Sequence, residues 1–169
     1  GDMIIVTLTD SEMSSAKALA NQLGKINNSI IKGRGNLAGF CGEIATAKHL
    51  RSVGFEVDHT NTYEYDLIAD GITVDVKSKN CNSPPRPNYD CSVANYNTKQ
   101  KCDRYVFTRV NNNIVYLVGW ISKDKFYQQA LFHKKGELDS NFVNGKKFTF
   151  HADCWNIAIS QLNRFTKND

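Results

Sequence analysis

The chain has 169 residues, of which 41% are hydrophobic and 22% charged, a composition typical of one soluble globular domain, so we treat residues 1–169 as a single domain. The net charge of +4 permits a nucleic-acid partner without requiring one. No apolar run is long enough to span a membrane and no signal peptide is visible. The five cysteines are scattered and form no C-x-x-C pair, which argues against a zinc ribbon and favours free thiols in a reducing cytoplasm.

The first predicted helix follows residues 3–8, which form either a short strand or an apolar lead-in. Polar residues at 9–11 are candidates for the helix N-cap. Apolar residues then recur at helical spacing as far as Leu23, and Gly24 is the expected stop. Residues 33–36, Gly-Arg-Gly-Asn, are expected to form a non-helical segment before the next helix.

A second helix is predicted over residues 36–53, with apolar residues along one stripe and Gly54 at its end. Several small residues in its first half, Gly42 among them, would let the helix backbone approach another element closely. Glu43 lies one residue away from the apolar stripe. Residues 55–59 alternate between apolar and polar side chains and are expected to form a strand.

The strongest local signal is the hairpin formed by residues 65–77, because Asp70-Gly71 is a preferred two-residue turn between two strand-like runs. This turn fixes the register, which pairs Ala69 with Ile72, Ile68 with Thr73, Leu67 with Val74 and Asp66 with Asp75. Alternation then divides the hairpin into two faces. The apolar face carries Tyr65, Leu67, Ala69, Ile72, Val74 and Val76 and is expected to join the core.

The other face of the hairpin brings Asp66, Asp75 and Lys77 together. Two carboxylates directly opposite each other should lie roughly 5 Å apart, and like charges so placed destabilise a sheet. A divalent cation between them would offset this repulsion, and hard cations such as Mg²⁺ prefer oxygen ligands. The hairpin therefore predicts a pair of metal-type carboxylates beside an ammonium group.

The second half of the chain is predicted to contain more strands than helices. Residues 80–91 include all three prolines of the chain and are expected to form a loop beside the charged face. The remaining expectations are a short strand at 92–94, a helical or irregular segment at 95–102, strong strands at 104–110 and 114–121, a helix at 123–133 that is stopped by Gly136, a polar loop at 137–147, late strands at 148–150 and 155–159, and a final helical turn at 160–165. The four histidines show no zincin-type spacing.

The pattern of Glu43 on a helix, Asp66 on a strand and Asp75-Val76-Lys77 on the next strand resembles the PD-(D/E)XK nuclease superfamily. The signature of that family is D…(D/E)-x-K with a helical glutamate upstream, in a core of one helix, three antiparallel strands, a helix and a strand. The run Gly39-Phe40-Cys41-Gly42-Glu43 is also similar to the opening helix of the family. The resemblance covers residues 35–80 and implies an α/β fold with a restriction-endonuclease-like core, in which helices flank a mixed central β-sheet.

The resemblance also implies a set of site residues. Asp66 and Asp75 would be direct ligands of Mg²⁺, for which Mn²⁺ can substitute, together with the backbone carbonyl of Val76. Glu43 would bind a second metal or a water molecule on the metal. Lys77 would orient or deprotonate the attacking water and stabilise developing negative charge.

The expected function is that of a metal-dependent DNA endonuclease of the restriction, homing, repair or phage DNA-processing type. Such a protein would act in the cytoplasm of a prokaryotic or phage-infected cell, and two active sites in a homodimer would be needed for concerted double-strand cutting. The expected phosphate contacts are Lys79, Arg86, Lys99, Lys101 and Arg104. The alternatives are a catalytically silent nucleic-acid-binding module of the same fold and a small metal-dependent hydrolase of other substrates.

Overall fold

The computed structural model describes residues 3–27, 30–60, 62, 64–143 and 146–165 of the chain, which form a mixed α/β fold. The helices are α1 (Asp10–Asn27), α2 (Ile30–Ser52) and α3 (Lys123–Gln129). The strands are β1 (Ile4–Thr7), β2 (Val57–His59), β3 (Leu67–Ala69), β4 (Ile72–Asn80), β5 (Asp90–Ala94), β6 (Arg104–Asn111), β7 (Ile114–Ser122), β8 (Leu131–His133), β9 (Leu138–Val143), β10 (Lys146–Thr149) and β11 (Cys154–Ala158).

Helix α1 begins where the sequence predicts it, because Thr9 and Glu12 form a capping box. The Glu12 N–H donates to Thr9 Oγ1 over 3.1 Å, and the Thr9 N–H donates to Glu12 Oε1 over 2.8 Å. The helix continues to Asn27, three residues beyond the stop expected at Gly24.

Helix α2 is longer than predicted, because it begins at Ile30 and passes through the expected break at residues 33–36. A glycine inside a helix costs only about 1 kcal/mol relative to alanine, and packing of α2 along α1 favours the longer helix. The predicted end is confirmed, since α2 stops at Ser52 and Gly54 adopts a φ of 104°. Of the helices in the described ranges, none is long and apolar enough to cross a membrane.

The main sheet has six strands in the order β1-β7-β6-β4-β3-β2. Strands β4 and β6 run parallel, and every other neighbouring pair in this sheet is antiparallel. The mixed central sheet is therefore confirmed. The chain reaches β6 from β4 through β5 and a short 3₁₀ turn at Asn95–Asn97, whereas the family resemblance implies a helix here. Three prolines between β4 and β5 disfavour a helix in the first part of this connection.

The hairpin register is confirmed for the three pairs nearest the turn, which are Ala69–Ile72, Ile68–Thr73 and Leu67–Val74. Asp70 and Gly71 have positive φ angles of 48° and 81°, as a type I′ turn requires.

The main sheet is covered on both faces. One face packs on α1 and α2 and includes Leu67, Ala69, Val74 and Val76 of the hairpin. The other face packs on α3 and on a smaller sheet of order β5-β11-β8, with Tyr105, Phe107 and Phe126 at its centre. Tyr65 was predicted to share the face of Leu67 but packs against the second core, since the regular pairing ends at Leu67.

The segment from α3 to β10 differs most from the sequence-based expectations. Helix α3 ends at Gln129 instead of residue 133, and Leu131, inside the predicted helix, lies in β8 with 67% of its surface exposed. The expected polar loop at 137–147 contains β9 and the first half of β10, and these two strands pair with each other. Apolar and polar residues do not alternate along either strand, so hydrophobic alternation could not reveal them.

Candidate active site

The candidate site lies where β3 ends and β4 continues. Strand β3 pairs only with Ile72–Val74, so the later residues of β4 have β6 as their one neighbouring strand in the described sheet. The predicted pairing of Asp66 directly opposite Asp75 is wrong, because the regular β3–β4 pairing ends at Leu67 and Val74. The Asp66 N–H donates to the Val74 carbonyl over 2.9 Å. Its side chain turns back along β4, where Oδ2 accepts the Val76 N–H over 2.7 Å.

The two carboxylates nevertheless lie near each other, since the charge of Asp75 contributes to the raised pKa of Asp66. Alternation along β4 places Asp75 and Lys77 on one face, as predicted. Lys77 Nζ lies 2.8 Å from Asp75 Oδ2, and the two side chains are 19% and 4% exposed. The pairing of an acid with the lysine two residues later is thus present in the fold.

Gln100 connects the members of this pair from the connection before β6. Its Nε2 donates to Asp75 Oδ1 over 3.2 Å, and its Oε1 accepts a hydrogen bond from Lys77 Nζ over 3.1 Å. The Gln100 carbonyl accepts a hydrogen bond from Lys123, at the start of α3. Gln100 is itself buried. These bonds hold the carboxylate and the ammonium in a fixed mutual orientation.

Glu43 reaches the edge of the site from α2, and His59 of β2 binds it. His59 Nε2 lies 2.6 Å from Glu43 Oε1. Gly42 allows α2 to approach the sheet this closely, because a Cβ at this position would lie 2.0 Å from Ser78 Oγ and 2.5 Å from Thr108 Oγ1. The small residue preceding Glu43 therefore has the packing role that the sequence indicates.

Burial and mutual repulsion disfavour the ionised forms of the three carboxylates. Burial, followed by the charges of Asp75 and Glu43, raises the pKa of Asp66 to about 9. Burial also raises the pKa of Asp75, although Lys77 opposes this shift. The pKa of Glu43 is raised chiefly by burial, and His59 opposes the shift while Asp75 adds to it. Without a cation, the Asp66 carboxyl therefore retains its proton at neutral pH.

These features suit a hard divalent cation that is held mainly by two carboxylates. Asp75 Oδ2 is buried and accepts no hydrogen bond among the described residues, although the Lys77 ammonium is close to it. Carboxylate oxygens are the preferred ligands of Mg²⁺. No group of three His, Cys, Asp or Glu side chains in the described ranges is already spaced to hold a metal. Asp66 and Asp75 thus fit the role of ligands, while Glu43 is turned towards His59.

The residues predicted to contact phosphate lie on different elements, and Arg104 lies on the face of the main sheet opposite the site. Lys79 lies on β4, on the same face as Lys77, and Lys99 and Lys101 flank Gln100 as exposed residues. Arg86 is exposed in the proline-containing loop. Arg104 pairs with Val74 and stacks 4.4 Å from the Trp120 ring centroid, on the face of the sheet opposite Asp75. The structure does not bring Arg104 to the site.

Two residues of the site, His59 and Gln100, were not identified from the sequence. His59 lies at the end of a strand that the sequence predicts, but its contact with Glu43 depends on how β2 packs beside α2. Gln100 belongs to a segment without periodicity, 25 positions from Asp75, and no local pattern distinguishes it.

The chain matches no model of a known protein family, and no curated protein sequence matches it.

Proposed function

We propose that this protein is a metal-dependent nuclease of the PD-(D/E)XK superfamily that hydrolyses phosphodiester bonds in DNA. The observation that carries the proposal is the proximity of Asp66 to the Asp75–Lys77 pair at the point where the hairpin opens. A face of the sheet without a function would have no need for buried carboxylates that repel each other. Glu43, on the helix before the hairpin, has the position that the family pattern gives to its upstream acid.

Asp66 and Asp75 would hold Mg²⁺ or Mn²⁺, together with the carbonyl of Val76. In a strand, the N–H and C=O of one residue point to the same side. The Val76 N–H donates to Asp66, so its carbonyl faces the same edge. Glu43 would join this ligand set after exchanging its contact with His59. A bound Mg²⁺ acidifies a water molecule and neutralises charge on the phosphoryl oxygens.

Lys77 would act on the substrate side of the site. Its ammonium, which contacts Asp75 and Gln100, would orient the attacking water and stabilise negative charge that develops on the phosphate. Gln100 is a positioning residue in this scheme, since it fixes both partners of the acid–lysine pair. The reaction is a direct attack by water, without a covalent intermediate on the protein.

A second candidate is a catalytically silent nucleic-acid-binding module of the same fold. The 2.6 Å contact between Glu43 and His59 favours it, because this contact occupies the third carboxylate. The described residues also contain no three side chains already arranged for a metal. A silent module would bind DNA through its exposed lysines without cutting it.

Cleavage assays on supercoiled, linear, single-stranded and branched DNA separate the two candidates. We expect the wild-type protein to cut at least one of these substrates with Mg²⁺ or Mn²⁺ and to be inactive in EDTA. Asp75→Ala and Lys77→Ala should each lower the rate at least about 100-fold, as expected for removal of a group that stabilises the transition state.

Matched controls exclude a contaminating nuclease and a general effect of charge. Asp58→Ala removes an exposed carboxylate on β2, and Lys17→Ala removes an exposed ammonium on α1. Both should cut DNA like the wild-type protein. Full activity of Asp75→Ala and Lys77→Ala would contradict the nuclease assignment, and DNA binding without cleavage would support the silent module. The double-strand cutting expected of a homodimer can be tested on the supercoiled substrate.

A further inference from the structure

A cavity of about 240 Å³ lies beside the candidate site. Its lining includes Lys77, Lys79 and Arg109, with Asp90 and Ser92 of β5 at its other side. Lys77 belongs to both the cavity and the acid–lysine pair, so the two spaces adjoin. The cavity is smaller than the roughly 300–1,000 Å³ of typical ligand pockets. Its size therefore suits a small group such as a phosphate better than a whole nucleoside.

The cavity is electropositive, since it has three cationic side chains and one carboxylate, that of Asp90. Arg109 is only 8% exposed. Its Nη2 donates to the Asp90 backbone carbonyl over 2.6 Å, and its guanidinium lies 6.0 Å from the Tyr89 ring centroid. Among the described residues, no carboxylate lies within 4.0 Å of this guanidinium. A buried cation that contacts mainly neutral groups is stabilised by an anion.

Lys79 is the second cation available to such an anion. Although part of this residue is exposed, loss of hydration and the nearby charge of Arg109 lower the pKa of its ammonium. An anion between Lys79 and Arg109 would relieve this repulsion. By contrast, the hydroxyl groups of the lining already have partners. Ser92 Oγ donates to Asn156 Oδ1 over 2.6 Å, and Ser78 Oγ lies 2.7 Å from Thr108 Oγ1.

The spacing along β4 links this cavity to the substrate of the candidate site. Lys77 and Lys79 point to the same face and lie two residues apart, which is roughly 6.6 Å along a strand. That distance is comparable to the separation of neighbouring phosphates in one nucleic-acid strand. A strand with one phosphate at Lys77 would thus bring the next phosphate to Lys79.

We propose that Lys79 and Arg109 form a phosphate-binding subsite, which takes the backbone phosphate of nucleic acid next to the phosphate at Lys77. The proposal rests on the proposed function, since it assumes that a nucleic-acid strand occupies the site. It assigns Arg109 a role in substrate binding that the sequence did not indicate. Arg109 thus replaces Arg104 as an expected phosphate contact, because Arg109 lies on the same face of the sheet as Asp75.

The test is the binding of a fluorescent single-stranded oligonucleotide in EDTA, measured by anisotropy at several salt concentrations. Each lost phosphate contact should reduce the slope of log K against log salt by about 0.7, which corresponds to roughly fivefold weaker binding at 0.1 M salt. We expect this change for Lys79→Gln. Arg109→Lys keeps the charge but loses the planar donor pair, so it should weaken binding with little change in slope. Lys17→Gln, on the opposite side of the sheet, should bind like the wild-type protein.

A neutral methylphosphonate placed at each position of the oligonucleotide in turn identifies the phosphate that is bound. A methylphosphonate at one internal position should weaken binding by the wild-type protein. The same methylphosphonate should not weaken binding by Lys79→Gln any further. If only removal of a 5′-terminal phosphate has this effect, the subsite takes a strand end instead of the adjacent internal phosphate, and the proposal is overturned. Unchanged affinity and slope in both Lys79→Gln and Arg109→Lys would also overturn it. If Lys79→Gln and Arg109→Lys show the expected changes in binding but the wild-type protein cuts no DNA, the nuclease activity is contradicted and the subsite remains supported.

Discussion

Replacing Asp66 by asparagine should stabilise the metal-free protein while it weakens metal binding. Asparagine has nearly the same volume as aspartate, and its carbonyl oxygen can accept the Val76 N–H that Asp66 Oδ2 accepts over 2.7 Å. The substitution removes the carboxyl group whose pKa is raised to about 9 by burial, Asp75 and Glu43. A purely structural carboxylate would show the opposite effect, because its removal would cost stability.

The size of the effect follows from the raised pKa. Above the ordinary pKa of 3.8 the unfolded chain ionises Asp66, whereas the folded protein keeps it protonated up to a pH of about 9. At pH 7 this interval of about three pH units corresponds to roughly 4 kcal/mol, at about 1.4 kcal/mol per unit. The effective dielectric constant of a protein site reduces this repulsion, so we expect Asp66→Asn to raise the free energy of unfolding by about 1–3 kcal/mol.

The sign of the pH dependence is equally specific. Because the folded pKa is raised, the wild-type protein has no penalty from Asp66 below pH 3.8, loses stability as the pH rises, and stops losing it above a pH of about 9. Asp66→Asn lacks this loss, so its advantage should be larger at pH 8 than at pH 5.

Urea unfolding in EDTA at pH 5 and pH 8 measures the free energy of unfolding directly. Asp58→Asn, an exposed carboxylate on the adjacent strand, is the matched control and should show little difference from the wild-type protein at either pH. The reasoning would be refuted if Asp66→Asn were less stable than the wild-type protein at pH 8, or if the difference were the same at both pH values.

Three further outcomes test other parts of the site. Gly42→Ala should lower the free energy of unfolding by about 1–3 kcal/mol in urea titrations, because its Cβ would overlap two hydroxyl groups. Gly39→Ala is the control and should not destabilise the protein, since a Cβ there would have nothing within 4 Å. Gln100→Leu removes a hydrogen-bond donor to Asp75 and should therefore raise the pKa of Asp75, so the acidic limb of the pH–rate profile should move to higher pH. An unshifted limb would show that Gln100 does not act on Asp75 during the reaction. Adding 5 mM Mg²⁺ should raise the midpoint of thermal unfolding of the wild-type protein but not of Asp75→Asn, and equal shifts in both would place the metal elsewhere.

The parts of the molecule that the sequence predicts well depend on local rules. Asp70-Gly71 determines a two-residue turn, and the register of the next three pairs follows from it. Alternation then places Asp75 and Lys77 on one face. The prediction fails one pair further on, at Asp66, because a side-chain contact with the Val76 N–H replaces regular pairing there, and nothing in the local sequence indicates such a contact.

The parts that could not be predicted depend on contacts between distant segments. Gln100 reaches Asp75 across 25 positions, and the pairing of His59 with Glu43 requires the packing of β2 against α2. The apolar residues of β9, Leu138, Phe142 and Val143, are not spaced at a period of two, so only its pairing with β10 defines it. The two glycines at 33 and 35 indicate a break, but packing between α1 and α2 outweighs their low helix propensity.

Calorimetric titration of the metal-free protein with Mn²⁺ at pH 7 tests most directly whether the buried carboxylates form a metal site. Since Asp66, Asp75 and Glu43 all have raised pKa values, binding of a cation must release protons, and the measured heat should depend on the ionisation enthalpy of the buffer. We expect about one proton or more to be released per Mn²⁺ bound, and we expect Asp75→Asn to bind at least about tenfold more weakly. Absence of Mn²⁺ binding at millimolar concentration, or equal binding by Asp75→Asn without proton release, would contradict the account.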